Sequence, residues 1–184
     1  TMQGMFAVAG ISVAGCDCAS SAVCMDKAIT KAIVDAETGI RQAWTIVADA
    51  ADCPVKENEE TPEIADLRRR CERKFGYPMF VKPSRAGSSV GASKVKTAAA
   101  FNKAMFIAFA EDTKVLVEEC IGGPELEVAV LEENGKYTIA GPAEIDVGSS
   151  EFYDYETKYV SDASSYYLPA RLSEEKQQEV RDKA

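Results

Sequence analysis

The residues best suited to chemistry lie in one short segment, Lys82 to Gly91, which reads Lys-Pro-Ser-Arg-Ala-Gly-Ser-Ser-Val-Gly. The apolar run from Met79 to Val81 precedes it and predicts the end of a β-strand. Glycines let a backbone approach a ligand closely, and serine hydroxyls and amide N–H groups donate hydrogen bonds to phosphate oxygens. Lys82 would add a positive charge beside them. The segment indicates a phosphate-binding loop, although an ordinary glycine-rich hairpin turn has a similar composition.

The composition limits what chemistry and which partners are open to the chain. Its 184 residues include no histidine, which excludes Ser-His and Cys-His triads and leaves lysine, acids, tyrosine and metal ions. The net charge of −9 argues against nucleic acid or an anionic membrane surface as a partner. No apolar run reaches transmembrane length, and no leader resembles a signal peptide.

The six cysteines indicate a reducing environment. They form no paired C-x-x-C motif, which argues against a zinc site. Cys24, Cys71 and Cys120 lie in apolar or helical patterns, where free thiols act as small hydrophobic groups. We therefore expect free thiols and a cytoplasmic protein.

The elements upstream of the loop are predicted from local patterns. The opening residues suggest a helix end joined to a short strand within Ala7 to Val13, and the abrupt start at Thr1 suggests a fragment. A helix is predicted from Ser20 or Ser21 to about Glu37. The later elements are a strand at Ala43 to Val47 and a helix from Thr61 or Pro62 with an apolar stripe at Ile64, Leu67, Cys71 and Phe75.

Downstream of the loop, strands and helices alternate before a tyrosine-rich segment. The predicted elements are a short strand ending at Lys96, a helix capped by Thr97, a strand at Lys114 to Glu119, an Asn134-Gly135 hairpin and a last helix capped by Ser173. Ser149 to Ser165 is polar and aromatic without clean periodicity. Long loops of this kind in compact domains are usually functional or disordered.

Four motifs together give the chain a recognisable pattern. They are Met25-Asp26-Lys27, Val81-Lys82-Pro83 with Gly87 to Gly91, Val117-Glu118-Glu119 with Gly123-Pro124-Glu125, and the Tyr153 to Tyr159 segment. In this order and spacing, over essentially its whole length, the chain resembles the ATP-grasp ligases, specifically the D-alanine–D-alanine ligase family. The resemblance implies an α+β ATP-grasp fold. Its parts would be the tail of an N-terminal domain (1–16), the central subdomain (17–117) and a partial C-terminal subdomain (118–184) with a lid loop at 149–165.

The resemblance also implies an ATP cleft between two α+β layers. Lys27 and Lys82 would contact the phosphates, where two ammonium groups offset the polyanion. The Gly87 to Gly91 loop would cover them. The remaining nucleotide contacts implied are Ser88 and Ser89 in that loop, Glu118, Glu119 and Ile121 at the adenine, and Glu125 at the ribose hydroxyls. Without the family pattern, Lys27 would be read as a solvated helix lysine and Glu125 as part of an exposed strand face.

The lid would supply three further functional residues, Tyr153, Lys158 and Tyr159. By resemblance, Lys158 reaches the transferred phosphate when the lid closes, and Tyr159 joins a hydrogen-bond network with Ser88. Closure would exclude water from a reactive intermediate. The alternative is a mobile acidic surface loop. The Lys-Tyr ending resembles ligases that make D-Ala-D-Ala or D-Ala-D-Ser more than those that use D-lactate.

The implied reaction is ATP-dependent ligation of two D-alanines for peptidoglycan precursor synthesis. ATP phosphorylates one D-alanine carboxylate, and the amine of the second attacks the acyl phosphate. The Mg²⁺ ligands of the family, and its N-terminal glutamate, are expected outside this sequence, so the fragment alone should be inactive. Alternatives are a D-Ala-D-Ser or other carboxylate–amine ligase, or a non-catalytic nucleotide-binding module. The protein could also form a homodimer, which the sequence does not decide.

Overall fold

The computed structural model describes residues 1–148, 152–153, 155–160 and 164–184, and the side chains at 156 and 157 are not described. Within these ranges the chain has α+β architecture and divides into two compact units, Thr1–Cys120 and Ile121–Ala184. None of the helices formed by these residues is long and apolar enough to cross a membrane.

The first unit is built on a four-stranded antiparallel sheet with strand order β1-β4-β2-β3. Its elements are α1 (Met2–Val8), α2 (Cys18–Met25), α3 (Lys27–Glu37), β1 (Thr45–Asp49), α4 (Pro62–Lys74), β2 (Met79–Pro83), β3 (Ser93–Val95), α5 (Ala98–Glu111) and β4 (Lys114–Glu119).

The core of this unit lies on one face of the sheet, under α4 and α5. The stripe predicted for α4 is confirmed, since Ile64, Leu67 and Cys71 are all buried. For α5 the sequence pattern predicts a buried face made of Ala100, Phe101, Ala104, Met105 and Ala108. The last four are buried, whereas Ala100 in the first turn is exposed. The residues of β2 and β4 that join this core are Met79, Val81, Val115 and Val117. Because side chains alternate along a strand, Lys82 and Glu118 project from the opposite face.

Two predictions for the N-terminal segment are wrong. The helix expected from Ser20 or Ser21 to Glu37 breaks at Asp26, whose extended backbone separates α2 from α3. Asp26 caps α3, because its carboxylate accepts hydrogen bonds from the N–H groups of Ala28 and Ile29 and so replaces a continuing helical turn. The strand expected within Ala7 to Val13 is also not formed. The described residues there end α1 instead, and Gly10 (φ 68°) turns the chain.

The second unit contains a three-stranded antiparallel sheet with strand order β5-β6-β7. Its elements are β5 (Glu125–Glu133), β6 (Lys136–Asp146), α6 (Tyr155–Tyr159), β7 (Ser165–Tyr167) and α7 (Glu174–Lys183). The hairpin is confirmed: Asn134 and Gly135 have φ of 54° and 74°, the left-handed pair that a tight two-residue turn requires. Ser173 caps α7 by accepting a hydrogen bond from Lys176 N–H, as predicted.

Candidate functional site

Two of the predicted site residues of the first unit, Lys82 and Glu118, lie on the sheet face opposite the α4–α5 core. In the antiparallel register, Glu118 of β4 lies opposite Phe80 of β2 and Thr45 of β1. Lys82 is therefore the diagonal neighbour of Glu118 across two strands, and its Nζ donates to Glu118 Oε2 at 2.7 Å. Strand pairing thus places a cation and an anion together although they are 36 residues apart.

Glu118 holds a second ammonium group that the sequence did not reveal. Lys31 Nζ, on α3, lies 3.2 Å from Glu118 Oε1, and the Thr45 hydroxyl donates to the same oxygen at 3.4 Å. Glu118 is only 5% exposed. Burial opposes its ionisation, but Lys82 and then Lys31 outweigh that penalty and lower the pKa of Glu118 below its ordinary value. The carboxylate is therefore charged at neutral pH.

Lys27 closes over the start of the glycine–serine loop. Its Nζ donates to the carbonyl of Ala86 at 2.6 Å and to those of Pro83 and Ser84 at 3.3 Å. Burial, followed by repulsion from Lys82, lowers its pKa. The reading of Lys27 as an ordinary solvated lysine does not fit these contacts. Two ammonium groups, Lys27 and Lys82, are near enough to repel one another, which favours an anion beside them.

The loop itself is tightly turned. Ser88 (φ 52°) and Ser89 (φ 59°) are consecutive non-glycine residues in the left-handed region, where such residues are uncommon. Turn hydrogen bonds run from Val90 N–H to Gly87 O and from Ala92 N–H to Ser89 O, at 3.0 and 3.1 Å. Gly91 (φ 70°) ends the loop where a Cβ would lie 2.8 Å from a side-chain carbon of Pro83. Successive amides in such turns form concave anion-binding surfaces.

A buried polar network fixes α3 to this loop. Asp26 accepts from the Ser84 hydroxyl at 2.6 Å and from Lys114 Nζ at 2.7 Å, while the N–H of Lys27 donates to Ser84 O at 3.0 Å. Burial would raise the pKa of Asp26, but the hydrogen bonds from Lys114 and Ser84 lower it to about 2. The sequence placed Asp26 in a motif without giving it this role. The sequence did not predict a role for Lys114, because its contact with Asp26 depends on how the strands pair.

The ion pair of Arg85 with Asp112 fixes the connection between β2 and the loop. Arg85 donates its backbone N–H to Asp112 Oδ2 at 2.8 Å, and its guanidinium pairs with the same carboxylate. Asp112 ends α5 and is buried. Burial opposes its ionisation, but Arg85 and the amide of Lys114 lower its pKa. The charged groups near the loop are therefore held in fixed positions by both sheet and helices.

The other predicted nucleotide contacts lie at the end of β4 and beyond it. Glu119 exchanges two hydrogen bonds with Trp44: its N–H donates to Trp44 O, and its Oε1 accepts from Trp44 N–H, both at 3.0 Å. Ile121 is exposed and begins the second unit. Glu125 is exposed on β5, opposite Ile145 of β6.

The three predicted lid residues are described within the second unit. The hydroxyls of Tyr153 and Tyr166 share a short hydrogen bond, which is the first cause of a Tyr153 pKa raised to about 12. Lys158 Nζ lies 4.8 Å from the centroid of the Tyr153 ring, a cation–π distance. Tyr159 packs on Tyr155 with ring centroids 5.0 Å apart. The lid predicted at 149–165 also includes 149–151, 154 and 161–163, which lie outside the described residues.

The two units divide the predicted site residues between them. The first contains Lys27, Lys82, Ser88, Ser89, Glu118 and Glu119, of which Lys82 and Glu118 are in direct contact, and the second contains Ile121, Glu125, Tyr153, Lys158 and Tyr159. Among the described residues, no three acids or cysteines gather as metal ligands would.

Comparisons with known proteins show which family the chain resembles. A family model described as "D-ala D-ala ligase C-terminus" matches residues 42–184. A D-alanine–D-alanine ligase of Caldicellulosiruptor bescii is 42% identical over this whole chain and 48% of its own length. Among solved structures, the VanG D-Ala:D-Ser ligase of Enterococcus faecalis is similar at 36% identity and a TM-score of 0.81, covering 99% of this chain and 49% of that one. D-alanyl-alanine synthetase A of Vibrio cholerae is similar at 31% identity and a TM-score of 0.78, covering 99% of this chain and 52% of that one.

The antiparallel sheet, the glycine–serine loop and the lysines beside it are found together with this similarity to solved D-alanine ligase structures. The chain therefore has the ATP-grasp fold, a class of α+β proteins. It belongs to the D-alanine–D-alanine ligase family. The chain spans about half the length of the curated relatives it matches.

Proposed function

We propose that the protein containing this chain joins D-alanine to D-alanine at the expense of ATP, through an acyl phosphate, to supply peptidoglycan synthesis. The observation that carries the proposal is the arrangement in the first unit of Lys27 and Lys82 beside a turned glycine–serine loop. Two ammonium groups and a row of loop amides suit a nucleotide's phosphates. Family membership supports the choice of reaction.

In this proposal Lys82 exchanges one anion for another. Without nucleotide it pairs with Glu118 at 2.7 Å, and with nucleotide its ammonium turns to a phosphate oxygen. Each carboxylate oxygen can accept two hydrogen bonds, so Glu118 Oε2 can then receive the amino group of adenine. The chain at Glu119 and Ile121 would line the adenine, and Glu125 would accept hydrogen bonds from the ribose hydroxyls.

The loop and the lid would act after ATP has bound. Ser88 and Ser89 would donate to phosphate oxygens, which compensates for their left-handed backbone. Lys158 would leave the Tyr153 ring and neutralise charge on the transferred phosphoryl group. Tyr159 would bond with Ser88 and hold the lid closed. Water would then be kept from the acyl phosphate.

The proposal also covers the metal ion, the cellular location and the partners of the protein. ATP use implies Mg²⁺, whose ligands we expect in a part of the parent protein that this sequence does not include. We place the protein in the cytoplasm, where ATP is available and where six free cysteines would stay reduced. D-alanine and ATP are the expected small-molecule partners, and a homodimer is compatible with the proposal.

A second candidate is D-Ala-D-Ser ligation. The observation that favours it is the likeness to the Enterococcus faecalis D-Ala:D-Ser ligase. Both candidates share the ATP site and differ only in the acceptor amine.

The test is D-amino-acid-dependent ADP release by the purified parent protein with Mg²⁺ and ATP. We expect ADP release with D-alanine alone and none with L-alanine. If D-serine is the preferred acceptor, D-alanine and D-serine together should give the mixed dipeptide. No release with any D-amino acid pair contradicts the proposal. Calorimetry of the same parent protein with ATP separates the remaining alternative, because ATP binding without turnover would mark a nucleotide-binding module.

A further inference from the structure

We infer that Lys31 is a positioning residue of the nucleotide site, which holds the carboxylate of Glu118 in place so that Lys82 can leave it for a phosphate. The inference rests on the proposed nucleotide-binding function. The contacts that the ammonium group of Lys31 makes are with Glu118 and with the carbonyl of Ala43. Lys31 would act only through Glu118.

The contacts of Lys31 fix its ammonium group at Glu118. Nζ lies 3.2 Å from Glu118 Oε1 and donates to the carbonyl of Ala43 at 3.3 Å. Gln42 Nε2 donates to the backbone carbonyl of Lys31 at 2.8 Å, which ties α3 to the start of β1. Lys31 therefore links α3 both to the 42–43 segment and to β4.

The need for Lys31 arises when Lys82 moves. Glu118 is buried, and a buried carboxylate that loses its counter-charge is strongly destabilised. With Lys31 present, Glu118 keeps one ammonium and the Thr45 hydroxyl after Lys82 has left. Without Lys31, Lys82 would be the last counter-charge in contact, and Glu118 would compete with the phosphate for it.

Among the described residues, Lys82 and Lys31 are the two cations that pair with Glu118, and Lys74 on α4 donates instead to the carbonyl of Thr45 at 3.0 Å. The charged groups that face Glu118 are Lys82 from β2 and Lys31 from α3, with Lys27 further along α3. Lys27 is committed to the carbonyls of Pro83, Ser84 and Ala86. Residues four apart on a helix share one face, so α3 directs one lysine at the loop and the other at Glu118.

A proton-linkage experiment separates this role from a merely structural one. In the parent protein with Lys31→Met, departure of Lys82 would leave Glu118 without a partner cation, and Glu118 would take up a proton as nucleotide binds. Calorimetry with the β,γ-imido analogue of ATP, in buffers of differing ionisation enthalpy, measures that proton. We expect affinity about tenfold weaker near pH 8, recovering toward pH 6, with proton uptake above that of the unmodified protein.

The matched variants make the result specific. Lys31→Arg keeps the charge and should restore affinity, with no added proton uptake. Lys103→Met removes an exposed lysine on α5 and should bind like the unmodified protein. If Lys31→Met does not fold, Lys31→Gln keeps a hydrogen-bond donor without charge and should show the same proton uptake.

The failures are distinguishable. Absence of analogue binding by the unmodified parent protein overturns the proposed function itself. Normal binding by that protein, together with equal affinity and equal proton uptake in Lys31→Met, overturns the role of Lys31 alone. Weaker binding without additional proton uptake would also overturn it, because that pattern reports loosened structure.

Discussion

Asp26 and Lys114 form a 2.7 Å ion pair between residues that are 88 positions apart in the sequence. Asp26 caps α3, and Lys114 begins β4, so the pair attaches the helix that carries Lys27 to the strand that carries Glu118. The position of α3 is thus set by a buried carboxylate rather than by an apolar stripe, since none of the α3 residues is fully buried.

Asp26→Asn should lower the free energy of unfolding and remove part of its dependence on pH. The pKa of Asp26 falls from 3.8 to about 2 on folding, which corresponds to about 2 kcal/mol of stability. Because the folded pKa is the lower one, this stability is present above pH 3.8 and is lost as the pH falls toward 2. Urea denaturation of both proteins between about pH 6 and pH 3 measures the difference, which should shrink on acidification. Asp52→Asn, at an exposed acid, is the control, and a constant difference would contradict the assignment.

Lys82→Ala should weaken ATP binding more than Lys158→Ala. Lys82 is available beside the loop, whereas Lys158 would act only from a closed lid. A hydrogen bond to a charged group contributes about 1.5–3 kcal/mol, so we expect roughly 10- to 100-fold for Lys82 and less than about threefold for Lys158. Titration of the parent protein with a non-hydrolysable ATP analogue measures both. Equal losses would count against the roles proposed for these lysines.

Gly91→Ala should destabilise the first unit by about 2 kcal/mol. The added Cβ would lie 2.8 Å from side-chain carbons of both Pro83 and Glu111, on a backbone with φ of 70°. Gly87→Ala is the matched control, because a Cβ there meets nothing within 4 Å. Thermal unfolding of the two variants makes the comparison. Equal unfolding temperatures would show that the loop's end is not constrained as described.

Cys71 should resist alkylation while other thiols react. Burial raises the pKa of the Cys71 thiol to about 12, whereas Cys16, Cys18 and Cys24 are exposed. At about pH 8 we expect iodoacetamide to modify Cys71 at least roughly a hundredfold more slowly than the exposed thiols, since the thiolate is the nucleophile. Mass spectrometry of peptides after timed quenching gives the rates, and unfolding in urea should equalise them. Rapid labelling of Cys71 in the folded chain would mean that α4 opens readily.

The sequence predicted the elements whose signals are local. The apolar stripe of α4, the Asn134-Gly135 turn and the cap at Ser173 each depend on a few neighbouring residues, and each is confirmed. The buried face of α5 is confirmed except at Ala100. The helix break at Asp26 was missed because the residues on both sides favour a helix. What stabilises the break, the contacts of Asp26 with Ser84 and Lys114, comes from distant parts of the chain.

The sequence predicted which residues belong to the candidate site, but it did not predict the contacts between them. Lys27, Lys82 and Glu118 were chosen through the family resemblance, but their partners depend on strand register. Only the antiparallel pairing of β2 with β4 makes Lys82 a diagonal neighbour of Glu118. Lys31 was not predicted as a site residue, because a lysine in the middle of a helix usually faces solvent. Its contact with Glu118 also depends on the position of β4, which the sequence of α3 does not reveal. The assigned nucleotide and lid roles stay predictions.

The spacing of Lys27 and Lys31 on α3 has a consequence for how the chain can vary in length. Each residue turns an α-helix by about 100°, so one residue inserted between these two would swing the second lysine away from Glu118. A deletion would do the same in the other direction. An insertion after Glu37, where α3 has ended, would leave the directions of both lysines on the helix unchanged. Length changes should therefore be tolerated in the connection that follows α3 and forbidden in the single turn that joins these lysines.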